Sequence, residues 1–89
     1  MKHLDIRITG RVQGVNFRGA TRSRAMELGA KGFVRNEPDG AVYLEAEGDA
    51  ETLDALVRWL HHGPPPARVD SVETGESEFK NFTSFTIEG

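Results

Sequence analysis

Apolar and polar residues alternate from His3 to Thr9. Leu4, Ile6 and Ile8 fall on one side and Asp5, Arg7 and Thr9 on the other, which predicts a strand with one buried face. At 19–28, GATRSRAMEL, helix formers take over, with Ala25 and Leu28 inward and Gly29 as a stop. KGFVRN and AVYLEAE then flank EPDG, whose proline, aspartate and glycine supply the chemistry of a tight hairpin. Gly32, Val34 and Asn36 share a face with Val42, Leu44 and Ala46, leaving Tyr43, Glu45 and Glu47 on a wet side. Asp49 is placed to cap a helix in which Leu53, Leu56, Val57 and Leu60 form one stripe, ended by Gly63 and three prolines. RVDSVETGE reads as a strand although Val69 and Val72 differ in parity, and FTSFTI adds a last short one around Phe85 and Ile87.

The order strand, helix, strand, strand, helix, strand predicts an α+β, ferredoxin-like βαββαβ sandwich. Two helices pack on one face of an antiparallel sheet, with a short C-terminal strand in addition. Eighty-nine residues without repeat or linker read as one domain over 1–89. Many functions use this fold, so the chemistry must be sought in particular residues.

Composition removes several classes. The formal charge is −3, which opposes any general attraction to nucleic acid or anionic membranes, so an anion site must be local. Without cysteine there is neither a disulfide framework nor thiolate chemistry. The alternating N-terminus resembles neither a signal peptide nor a membrane span, which makes the cytoplasm the expected location; no long apolar surface stripe is legible, and a monomer is expected.

One stretch stands out, GRVQGVNFRG at 10–19, between the first strand and the first helix. Holding a phosphate takes inward backbone N–H groups, a helix N-terminus and a cation with matching geometry. Gly10, Gly14 and Gly19 relax the turn, the helix is expected to begin near Gly19, and Arg18 brings a planar fork of donors. GVNFRGAT spaces its glycines as a Walker A loop does, but Ala20 stands where that motif needs lysine, and no GxGxxG is present. Spacing alone leaves open a plain strand-to-helix turn with a solvated arginine.

GRVQGVNFR closely resembles the signature of the acylphosphatases, small enzymes that hydrolyse acyl phosphates. The likeness continues through Gly32–Asn36 (GFVRN), the turn glycine Gly40, Gly48, the GPPPARV segment and FTSFTI, and so spans essentially the whole chain. This resemblance implies that Arg18 grips the phosphate and that the Asn36 amide positions the attacking water. The backbone N–H groups of Val12, Gln13, Gly14, Val15, Asn16, Phe17 and Arg18 would complete the cradle. It implies a small-molecule acyl phosphate as substrate, with no metal and no cofactor. Asn16 could either add a donor or cap the helix. A carboxylate leaves without protonation, which fits a chain offering no carboxylate dyad or histidine beside the loop.

Other candidates read as structural. His61 and His62 suit a helix C-terminus, His3 lies on the polar parity with no partner in view, and Trp59 reads as packing. Arg22 and Arg24 suit a solvated helix face, Glu45, Glu47, Glu76 and Glu78 read as solubilising charges, and Phe79 and Phe82 as cover for the core. Two alternatives to an enzyme are a non-catalytic phosphate- or small-ligand-binding module and an RNA-binding domain. The latter would need aromatic residues on the middle strands, where Tyr43 stands among acidic neighbours instead.

Overall fold

The structure, a computed structural model, describes residues 1–89. Its elements are β1 (Lys2–Arg11), α1 (Phe17–Leu28), β2 (Lys31–Asn36), β3 (Val42–Gly48), α2 (Ala50–Leu60), β4 (Arg68–Ser77) and β5 (Phe85–Glu88). The sheet order is β4-β1-β3-β2-β5. The first four strands pair antiparallel, as a ferredoxin-like sandwich requires, and the short β5 adds to the β2 edge in parallel.

The alternation read from the sequence places the core. Ile6, Ile8, Val34, Val42, Leu44 and Ala46 project from the sheet onto Phe17, Ala25, Leu53, Leu56 and Leu60 of the two helices. Asp49 caps α2 as expected, its Oδ1 accepting from the Thr52 N–H at 2.8 Å. Helix α1 stops at Gly29, where the N–H of Ala30 donates to Ala25 O and that of Gly29 to Met26 O. It starts two residues before the expected Gly19 because Phe17 is needed in the core, its ring packed 6.0 Å from that of Trp59.

Register resolves the parity conflict in the fourth strand. Thr9 faces Ser71 but Gly10 faces Val69, so Asp70 is an extra residue in a β-bulge. The bulge turns Val69 back to the side of Val72, and both pack on the core.

The outer face of the sheet differs from expectation. Strands β4 and β5 lie at opposite edges, the helices occupy one face, and so the 78–84 segment crosses the other. There Glu47 accepts from the backbone N–H groups of Lys80 and Phe82, the latter at 2.7 Å. His3 Nδ1 donates to Glu47 Oε2 at 2.7 Å, and its Nε2 faces Asp5 Oδ1 and Glu45 Oε1, each at 3.0 Å. Lys80 Nζ and the Tyr43 hydroxyl donate to Glu45. His3, Glu45 and Glu47 are therefore buried, and neither glutamate is the solubilising charge its sequence position suggests.

Phe82 likewise covers this outer face rather than the helix-side core, its ring 5.8 Å from His3 and 5.9 Å from Phe33. Arg35 stacks its guanidinium 4.7 Å from the Tyr43 ring on the same face. Glu76, Glu78, His61 and His62 are exposed, as the sequence implies.

Candidate active site

The loop between β1 and α1 is held by its own apolar residues. Val12 and Phe17 are buried and Val15 is packed against the core, while Gly14 and Asn16 between them are exposed. Gly14 at φ 76° and Asn16 at φ 61° are both left-handed, so the chain curls sharply just before the helix. Asn16 occupies the N-cap position without a side-chain capping bond. Its Oδ1 instead lies beside the position a Cβ on residue 19 would take.

The first turn of α1 contains no acidic residue, so no side chain of that turn offsets the positive end of the helix. Arg18 is the second residue of that turn and half-buried, with Nη1 donating to the Gly89 carbonyl oxygen at 3.3 Å. Arg22, one turn on, donates from Nε to Phe85 O at 3.1 Å and is committed to β5. Arg24 pairs with Glu27 at 3.8 Å.

Asn36 is the last residue of β2, opposite Val42 and half-buried. The turn after it is closed by the Glu37 N–H donating to Ala41 O at 2.8 Å and the Gly40 N–H to Glu37 O at 3.1 Å. Asp39 accepts from the Ala41 N–H and from Arg7, and these two bonds hold its carboxyl below the usual range. The loop and this turn meet through Gln13, whose Nε2 donates to Glu37 O at 2.8 Å and Ala41 O at 2.9 Å. The resemblance gives Gln13 a role through its backbone alone; the signal for its side chain is a polar residue between apolar Val12 and Val15.

Neither the loop nor Asn36 lines any of the three surface concavities. His3, Asp5 and Glu45 bring potential metal-ligand atoms within 4.8 Å of one another. Those atoms already serve the bonds that tie down the 78–84 segment, at the far end of β1 from the loop.

A model of the acylphosphatase family matches residues 4–87. An acylphosphatase of Methylococcus capsulatus is 48% identical over 88 residues, covering 98% of this chain and 96% of that one. One from Rubrobacter xylanophilus is 55% identical over 75 residues, covering 84% and 68% respectively. The crystal structure of the Bacillus subtilis acylphosphatase superposes with a TM-score of 0.98 at 32% identity, covering 100% of both chains.

Proposed function

This chain belongs to the acylphosphatase family and hydrolyses acyl phosphates to carboxylate and inorganic phosphate, and we propose that Arg18, Asn36 and the 12–18 backbone perform that reaction. The phosphoryl group sits in the curl of the loop, its oxygens accepting from the N–H groups of Val12 to Arg18 and from the Arg18 guanidinium. These donors are fixed before substrate arrives and are aimed at oxygens that carry charge throughout the transfer. The Asn36 amide holds a water in line with the bond to be broken.

Water oxygen attacks phosphorus, the bond from phosphorus to the carboxylate oxygen breaks, and its electron pair leaves with the carboxylate. The proton of the water passes to a phosphoryl oxygen, since an amide is a poor base. A carboxylate is stable without protonation, so no catalytic acid is required.

The observation that carries this reading is the first turn of α1, free of acidic side chains, with Arg18 beside the curled loop. A monomeric cytoplasmic protein without nucleic-acid or membrane partners fits a surface of net negative charge with four exposed large apolar side chains. No helix is long and apolar enough to cross a membrane.

The test is hydrolysis of acetyl phosphate by the purified protein in the presence of EDTA. Turnover is expected to persist, with inorganic phosphate as a competitive inhibitor. Arg18→Ala should lower kcat/KM by about 10²–10³-fold with an unchanged melting temperature, and Asn36→Ala should act mainly on kcat. Full activity in Arg18→Ala would remove the basis of the residue assignment.

A further inference from the structure

The side chain of Gln13 does something its backbone role does not require. Its amide nitrogen carries two hydrogens, and both are used, one on Glu37 O at 2.8 Å and one on Ala41 O at 2.9 Å. Two carbonyl acceptors admit only the NH2 end of the amide, which fixes its orientation. Glu37 directly follows Asn36, and Ala41 directly precedes Val42, the register partner of Asn36. Gln13 thus grips both ends of the turn at the point where the strand carrying Asn36 ends.

The side-chain link from β1 to this turn is weaker. Arg7 pairs with Asp39 at the surface, where both side chains are substantially exposed, and such pairs constrain little. Gln13 is half-buried, and its main chain sits beside left-handed Gly14 in the loop itself. A shift of the turn relative to the loop would break both of these part-buried hydrogen bonds.

We propose that Gln13 is a positioning residue that sets the distance between the phosphate cradle and the water-holding amide of Asn36. The inference rests on the assignment of Asn36 made above. Because the cradle is formed by backbone that Val12, Val15 and Phe17 anchor independently, loss of the Gln13 side chain leaves phosphate binding in place and misplaces the water. A displacement of about an ångström at the reacting centre costs on the order of 10²-fold in rate.

The experiment is a double-mutant cycle read on acetyl phosphate, with inorganic phosphate as inhibitor. Gln13→Met keeps the length and loses both donors; Gln13→Glu keeps the shape and turns an acceptor toward two carbonyls, so a folding failure in one leaves the other to be measured. Each is expected to lower kcat by about ten- to a hundredfold while the inhibition constant for phosphate changes less than about threefold. In an Asn36→Ala background the same substitutions should have no further effect on kcat. Equal losses in both backgrounds, or a lowered melting temperature with normal kcat, would overturn the proposal. Full activity in Asn36→Ala alone would overturn the Asn36 assignment and this inference with it, whereas an inactive Asn36→Ala beside a normal Gln13→Met overturns the positioning role alone.

Discussion

Asn16 and Gly19 are neighbours in space. A left-handed residue at 16 is tolerable because asparagine accepts that conformation more readily than most, and its side chain then occupies the space a Cβ at 19 would need. In the wild-type background Gly19→Ala is therefore expected to be neutral or destabilising. In an Asn16→Gly background the obstacle is gone, and Gly19→Ala should stabilise the protein by up to about 1 kcal/mol through helix propensity. Urea denaturation of the four proteins checks this, and equal effects in both backgrounds would refute the pairing. The glycine spacing was legible in the sequence, but the contact of its last member with Asn16 was not, since it depends on a backbone angle three residues away.

Strand β4 carries the corresponding lesson at the scale of an element. Val69 and Val72 cannot share a face in a regular strand, and the bulge opposite Thr9 and Gly10 removes the conflict with one extra residue. Gly10 makes the bulge possible: its φ is 127°, and a Cβ there would run into the backbone of Arg68 and Asp70. Gly10→Ala is expected to cost at least about 2 kcal/mol, seen as a lower urea midpoint with an unchanged slope. A midpoint equal to that of the wild type would show that the bulge relaxes freely. Helix α2 needed no such correction, because its stripe and cap are local; α1 gained its first residues from Phe17 meeting Trp59, 42 positions on.

Across the whole molecule, the crossing of 78–84 joins charged groups into one unit. Burial by itself depresses the His3 pKa, but hydrogen bonds to Glu47 and Asp5 and the charges of Asp5 and Glu45 together raise it above 6.5. A raised folded-state value means that His3 stabilises the fold fully below pH 6.5 and loses that contribution as pH rises through the raised value. For Glu45 and Glu47, burial pushes the pKa up. Bonds from Lys80 and Tyr43 to the former, and from His3 and the Lys80 and Phe82 backbone to the latter, outweigh it and leave both below 4.5. Their contribution is present above pH 4.5 and lost as pH falls through the lowered values. Urea midpoints should therefore decline on both sides of a plateau, and His3→Gln should flatten the alkaline limb while lowering the plateau. An alkaline limb unchanged by His3→Gln would place its origin elsewhere. Protection of the Lys80 and Phe82 amides from hydrogen exchange should fade over the same alkaline range.

By itself the sequence determined which elements form and which face of each is apolar. These follow from periodicity, capping and glycine placement, all of which act over a few residues. Tertiary structure alone decided what lies across the outer face of the sheet and what ties the loop to Asn36. His3 meets Glu47 across 44 positions, Phe82 meets Glu47 across 35, and Gln13 meets Ala41 across 28. Strand parity says which way a side chain points, but the partner waiting there is set by connectivity: with β4 and β5 at opposite edges and helices on one side, the chain had to cross the other.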